Sequence, residues 1–386
     1  MSRPLLYLDY NAMAPLTAQV RGQIMNAVGL LGDQAGNPSS THSFGRNARR
    51  MIESARSEIA DVFGVESKSI IFTSGATEAN AMVLAGFDGE ILASSVEHSS
   101  ILDARLDMTL ASVDANGVVS LDFIEQWLLT ARGSKALVSI MAANNETGVI
   151  QPIQEIAALC QQNGAYFHSD VVQAAGRMPV DFKALDCATI SGHKLGALPG
   201  IGCLVMKETF PLRAMIRGGG QERSFRAGTE NIIGIISLAA ALTEAMSALR
   251  QNDWCRVRAH QHWMENEITT FCKDALIIGV DASRLVNTTC ITMPGLKAET
   301  QVMRFDLEGI AVSAGSACSS GKIKKSRVLS AMRIPDSVAE TALRVSLSPH
   351  TTRKEVESFV SMWKLIYESI DRRNNTIRTT NVISAA

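Results

Sequence analysis

The chain has 386 residues, with 37 basic and 38 acidic side chains and a formal net charge of −1. Hydrophobic residues make up 46% and charged residues 19%, which excludes a disordered chain and leaves room for two or three domains with a sizeable core. The near-zero charge argues against a protein that works mainly on phosphate backbones, so no nucleic-acid partner is expected.

In chain order, MSRPLLYLDY has no extended apolar segment and predicts no signal peptide. Residues 1–65 hold an extended start, a polar GNPSSTHSFG loop (36–45) and one helix at 46–63. In that helix Ala48, Met51, Ile52, Ala55, Ile59 and Val62 recur at helical spacing. Apolar runs then alternate with helical patterns. They are SIIFT (69–73) before a helix at 77–85, EILAS (90–94), ALVSIMAAN (136–144) before IQEIAALCQQ, AYFHS (165–169), CATIS (187–191) and IGCLVM (201–206). Continuous apolar runs separated by helices predict a mainly parallel sheet covered on both faces, an α/β layer over 14–253. Residues 232–249 read as its closing helix. The apolar stretch 232–242, broken by Gly234 and Ser237, is far short of the roughly 20 residues of a membrane helix, so no membrane association is expected. Residues 254–372, with the segment 1–13, read as a smaller α+β domain: a helix at 257–272, strand, helix, a small-residue loop and an amphipathic helix at 352–371. The polar stretch 373–386 reads as a flexible tail.

Ligands of an open parallel sheet bind outside the carboxyl ends of its strands. Five consecutive apolar runs deliver polar groups there: Ser74-Gly75-Ala76-Thr77, Glu97-His98, Asn144-Asn145-Glu146, Asp170 with Gln173, and Ser191-Gly192-His193-Lys194. The turn at 74–77 opens a helix whose N–H groups and dipole suit a phosphate, although capping alone would also explain its hydroxyls. Lys194, between glycines at the end of an apolar strand, is either a surface lysine or a partly desolvated amine suited to form an imine. Asp170, ending an apolar strand, needs a cationic partner, and a protonated ring nitrogen is one. His98 is either a satisfied loop histidine or a residue that could lie flat on a ring. His168 and Asp170 could be read as metal ligands, but no HxxxH or HExxH spacing supports a metal.

Seven cysteines, the closest two sixteen residues apart, form no CxxC pair and predict a reducing, cytoplasmic setting without a disulfide framework. Six of them, Cys160, Cys187, Cys203, Cys255, Cys272 and Cys290, are assigned to packing. Cys318 differs, lying in the small-residue run 313–321 with Lys322, Lys324 and Lys325 just beyond it to favour a thiolate. Arg344, inside the apolar run ALRVSLSP, wants a carboxylate, structural or from a substrate.

A phosphate cradle, imine lysine, ring-nitrogen carboxylate, stacking histidine and distal arginine together describe a pyridoxal 5′-phosphate site. With the cysteine added, the chain strongly resembles the cysteine desulfurases of the NifS/IscS type. The matching segments are YLDYNAMAP (7–15), GNPSS (36–40), FTSGATEAN (72–80), EHSS (97–100), NNETG (144–148), SDVVQAAG (169–176), SGHKLG (191–196), GGGQERSFRAGTEN (218–231), VSAGSACSS (312–320) and LRVSLS (343–348).

The resemblance implies a class V aminotransferase family fold of pyridoxal phosphate fold type I, acting on L-cysteine as a homodimer and giving L-alanine and a persulfide. By this resemblance Lys194 binds the cofactor as an imine and moves protons at Cα. Asp170 keeps the pyridine nitrogen protonated, and Gln173 bonds the ring hydroxyl with Asn145 on the same edge. His98 stacks and transfers protons. Ala76, Thr77, Ser191 and His193 hold the phosphate, and Thr229 reaches in from the other subunit. Arg344 and Asn37 bind the substrate carboxylate. Cys318 takes the sulfur and hands it to an iron–sulfur scaffold or another acceptor protein. It would contact an iron–sulfur centre only by family analogy, and no resident metal is implied. A selenocysteine lyase, an aminotransferase on the same fold, or a catalytically silent binding subunit are the alternatives. Met13 and LGALP (195–199) depart from the family pattern at the pocket's edge.

Overall fold

The computed structural model describes residues 5–33, 36–131, 135–315 and 325–383, with side chains described up to residue 370. The chain forms two compact units: a larger one of Asn11–Asn145 and Ile150–Asn252, and a smaller one of Met1–Tyr10, Glu146–Val149 and Asp253–Ala386. Strand β1 (Leu6–Tyr7) belongs to the smaller unit.

The larger unit runs α1 (Ala18–Asp33), α2 (Ser43–Phe63), β2 (Ile70–Thr73), α3 (Ala76–Gly86), β3 (Glu90–Ser94), α4 (Ser99–Leu102), β4 (Thr109–Ala111), α5 (Leu121–Thr130), β5 (Ala136–Ser139), α6 (Ile153–Gln162), β6 (Tyr166–Asp170), β7 (Cys187–Ser191), β8 (Gly202–Met206) and α7 (Ile232–Arg250). Its seven strands form one sheet in the order β2-β8-β7-β6-β5-β3-β4. Strand β8 is antiparallel to both neighbours and every other pairing is parallel, so β2, β3, β5, β6 and β7 all run the same way. Their carboxyl ends therefore share one edge, as the apolar runs predict. Strands β5, β7 and β8 are buried throughout, which is why they read as unbroken apolar runs.

Local signals explain the helices. His42 caps α2, its Nδ1 accepting the Gly45 N–H, and Gly64 at φ 66° ends it in the left-handed conformation that glycine adopts without strain. Helix α1, absent from the sequence expectation, carries Gly22, Gly29 and Gly32, each of which weakens a helical reading. Tertiary packing against α7 supplies what propensity lacks. Helix α7 is long and apolar enough to cross a membrane by composition, but it packs on α1 and α2, and Ile235, Leu238 and Leu242 are buried.

The smaller unit contains α8 (Asp253–Phe271), β9 (Thr288–Thr292), α9 (Ala298–Leu307), β10 (Ile310–Ala311), β11 (Ser313–Ala314), α10 (Arg327–Ala331), α11 (Asp336–Ala339), β12 (Ala342–Ser346) and α12 (Arg353–Ile383). Strands β11, β12 and β9 form an antiparallel sheet, and β1 pairs with β10 in parallel. Phe305 stacks on Phe359 at 5.1 Å, and the buried Trp363 stacks on Tyr367 at 5.5 Å. Helix α12 passes residue 371, where the apolar pattern stops and a flexible tail is expected. No glycine or proline interrupts 353–383.

One close approach shapes the site's edge. Gly202 opens β8 opposite Thr73 and Ser191, and a Cβ there would lie 2.6 Å from the Ile190 carbonyl oxygen and 2.8 Å from Gly75 Cα. Gly202→Ala should therefore lower the thermal midpoint by several degrees, a loss of about 1–3 kcal/mol. Gly22→Ala, on the exposed face of α1 with nothing within 4 Å of the new Cβ, should raise stability by about 0.5–1 kcal/mol. Equal midpoints for both variants in calorimetry would refute this packing account.

Candidate active site

In the larger unit the chain ends of β2, β6 and β7 each place one part of a site. Strand β7 leads into a 3₁₀ turn, Gly192–Lys194, and the Lys194 Nζ donates to the carbonyl oxygens of Asn11 and Ala12, both at 2.8 Å. Gln173 Nε2 also donates to the Asn11 oxygen at 3.1 Å, and Asn11 Nδ2 donates to the Asn145 oxygen at 3.4 Å. Lys194, Gln173 and Asn145 thus converge on Asn11. Arg177 locks the far side of this group. Its guanidinium donates to Gln173 Oε1, to the Gln173 carbonyl oxygen at 3.2 Å and to the Lys194 carbonyl oxygen at 3.1 Å.

Asp170 ends β6, buried, with Oδ2 accepting from Asn80 Nδ2 at 2.9 Å and Oδ1 from the Val172 N–H at 3.0 Å. Asn80 Nδ2 also bonds Ser100 Oγ at 2.9 Å, and Ser100 Oγ lies 2.8 Å from His98 Nδ1. The chain His98–Ser100–Asn80–Asp170 is one hydrogen-bonded network. Because His98 Nδ1 accepts the Ser100 N–H, the neutral ring carries its proton on Nε2. Desolvation lowers the His98 pKa; Asp170 works against that shift and Lys194 with it. His98 is therefore a neutral base at neutral pH.

At β2, the turn 74–77 enters α3 through Gly75 at φ 155°, ψ −179°, a conformation essentially confined to glycine. No side chain caps the helix there, and a Cβ on Gly75 would meet only open space. Ala76 is half-buried and Thr77 exposed at this N-terminus. Ser191 is buried, with Oγ 3.1 Å from His193 Nδ1. Burial and the Lys194 charge bring the His193 pKa down to about 4, so the ring is neutral. A helix N-terminus without a side-chain cap, the buried carboxylate of Asp170 and a lysine amine at one sheet edge fit pyridoxal 5′-phosphate: phosphate, ring nitrogen and aldehyde carbon respectively.

Other predicted residues are placed differently. His168 bonds Ser139 Oγ and Thr189 Oγ1, and burial pushes its pKa down to about 3, so it is a neutral packing residue. Asn37 is exposed, with Oδ1 accepting the Ser39 N–H, and Thr229 is exposed. Met13 is exposed, and the departing LGALP turn closes on Gly192 through the Leu195 and Ala197 N–H groups. Cys160, Cys187, Cys203, Cys272 and Cys290 are buried, and burial raises the thiols of Cys160 and Cys290 to about 12. Cys255 is exposed, which corrects its assignment to packing: it lies in the first turn of α8 while Trp254 takes the buried position. Cys318 lies outside the described residues.

In the smaller unit, Arg344 is buried on β12 and has a structural carboxylate: its Nη2 is 2.6 Å from Asp9 Oδ1. Glu146 lies in the same surroundings, accepting from Ser326 Oγ at 2.6 Å. Burial raises its pKa to about 7, against the pull of Ser326 and Arg344.

Sequence reading passed over Asn80, Ser100, Asn11 and Arg177, all within or next to the quoted segments. Arg177 was the most detectable, a lone arginine after the apolar DVVQAAG, four residues beyond Gln173.

A family model described as Aminotransferase class-V matches residues 6–359. Cysteine desulfurase IscS of Dictyoglomus turgidum is 35% identical over 95% of this chain and 95% of its own length. Cysteine desulfurase 2 of Trichormus variabilis is 37% identical over 95% of this chain and 94% of its own. The X-ray structure of a NifS-like protein from Rickettsia africae superposes with a TM-score of 0.86 at 37% identity, covering 94% of this chain and 99% of that one.

Glu146 makes a pH prediction. A carboxyl raised from 4.5 to about 7 on folding binds a proton more readily in the native chain, so its contribution is complete below pH 4.5 and lost as pH rises through about 7. Glu146→Gln should flatten the fall in stability across that window, by at most about 1.4 kcal/mol per pH unit. Parallel urea-unfolding profiles of the two proteins from pH 4.5 to 7 would contradict the assignment.

Proposed function

Because the chain belongs to the class-V aminotransferase family, and within it to the cysteine desulfurases, we infer that it converts L-cysteine to L-alanine and leaves the sulfur as a persulfide on Cys318. The observation that carries the reading is the convergence of Lys194, Gln173 and Asn145 on Asn11 together with the Asp170–Asn80 bond at one edge of the sheet. When bound, pyridoxal 5′-phosphate supplies an aldehyde carbon for an amine and a ring that withdraws electrons from the substrate Cα.

The chain's own residues divide the remaining work. The Lys194 amine would hold the cofactor at its aldehyde carbon and would move protons at the substrate Cα. The Asp170 carboxylate, oriented by Asn80 and Val172, holds a proton on the ring nitrogen. One Gln173 amide hydrogen bonds Asn11, leaving the other for the ring hydroxyl. Neutral His98 accepts and returns a proton. The first-turn amides of α3, with Thr77, Ser191 and His193, bind the phosphate. Arg344 binds the substrate carboxylate while sharing its guanidinium with Asp9. In the overall exchange the Cys318 sulfur bonds the substrate sulfur, the substrate carbon–sulfur bond breaks, and a proton takes sulfur's place on carbon.

The finer parts of the reading are a homodimer, with Thr229 serving the second copy's phosphate, and an iron–sulfur scaffold or other protein as sulfur acceptor. Helix α1 supports a dimer, since it exposes Met25, Val28 and Leu30.

Incubation with L-cysteine should yield alanine and a persulfide on Cys318, and Cys318→Ala should cut alanine release about a hundredfold or more with the yellow imine absorbance intact. Alanine release that survives Cys318→Ala would favour a lyase that does not use this thiol. Amino transfer to a keto acid by the same variant would favour an aminotransferase.

A further inference from the structure

The segment 218–231 contains three consecutive non-glycine residues in left-handed conformation: Glu222 at φ 44°, Arg223 at 54° and Ser224 at 66°. Such a run costs about 1–2 kcal/mol per residue and persists only where its surroundings hold it. Here Glu222, buried, accepts the Phe72 N–H at 2.8 Å and forms a two-pronged pair with Arg56 at 2.9 and 2.7 Å. Arg56 also donates to the Ile70 carbonyl oxygen at 2.8 Å, and its guanidinium lies 4.6 Å from the Phe72 ring centroid. Strand β2 is the sheet's edge, so these side chains take the place of a neighbouring strand.

A second attachment lies where β2 ends. Arg226 Nε donates to Glu78 Oε1 at 2.8 Å, and Glu78 Oε2 accepts the Ser74 N–H at 2.8 Å. The segment is therefore tied both to β2 and to the turn that opens α3. An edge cap explains the first attachment but not the second. Glu78 places a carboxylate in the first turn of the helix whose N-terminus is the proposed phosphate cradle. Unneutralised, that charge opposes a phosphate. Burial works against the Glu78 charge, but the bonds from Arg226 and Ser74 hold its carboxyl below the usual range, so it stays ionised.

We propose that Glu78 and Arg226 are positioning residues for the cofactor phosphate: Glu78 sets the turn 74–77 through the Ser74 N–H, and Arg226 cancels the carboxylate charge beside the cradle. The segment that carries Thr229 and the turn that carries Thr77 are thereby held in one ionic unit. The inference rests on the pyridoxal phosphate reading of the site.

The test titrates the full-length protein, freed of cofactor by hydroxylamine dialysis, with pyridoxal 5′-phosphate and separately with pyridoxal, following imine absorbance. Arg226→Gln should weaken pyridoxal 5′-phosphate binding about tenfold, with pyridoxal binding changed less than about threefold. Adding Glu78→Gln, which removes the charge but keeps an acceptor for Ser74, should restore most of the lost affinity. Wild-type affinity in Arg226→Gln, or equal loss for both compounds, overturns the inference while the cofactor reading stands. If the wild-type protein binds neither compound, the cofactor reading fails and takes the inference with it.

Discussion

A buried carboxylate at the end of a central strand must be given partners or lose its charge, and Asp170 meets that condition through Asn80 and the Val172 N–H. Asn80 lies on α3, three residues after Thr77, so both share a face of the helix. The helix that must dock to satisfy Asp170 is also the helix whose N-terminus forms the phosphate cradle. One hydrogen bond thus relates the ring end of the site to its phosphate end. Gly202 permits the closeness this demands, because any side chain there would strike the Gly75 turn.

Around that constraint the larger unit sorts its titratable groups by environment. Desolvation keeps His98 and His193 neutral, and His168 is neutral within the core. Glu97, buried beside Met141 with Oε1 accepting its N–H, is driven well above the carboxylate range by burial, with the charge of Asp170 adding to the shift. Burial thus pushes the imidazoles down and the Glu97 carboxyl up within one unit.

The sheet was legible because its strands are buried on both faces and so read as apolar runs; β3 and β7 occupy the very residues of EILAS and CATIS. Helix α1 was not, because three glycines hide a helix that packing against α7 sustains. Residues that react or bind at the rim stand out in sequence as polar groups ending apolar runs. Those that orient them do not: Asn80 on α3 and Ser100 on α4 are ordinary helix residues until the fold puts them between His98 and Asp170. Cys255 shows the opposite error: it was assigned to packing, but in the first turn of α8 Trp254 takes the buried position and Cys255 is exposed.

Sequence alone determined the fold class, the shared edge where β2, β3, β5, β6 and β7 end, and the residue types gathered there. Strand burial and turn chemistry are written in local patterns. Only the tertiary structure decided which partners hold those residues: Asn11 for Lys194 and Gln173, Asn80 for Asp170, Asp9 for Arg344 and Arg226 for Glu78. Each of these pairs joins residues 90 or more positions apart. Pairing at that range is set by how helices and strands pack, not by the order of neighbours along the chain.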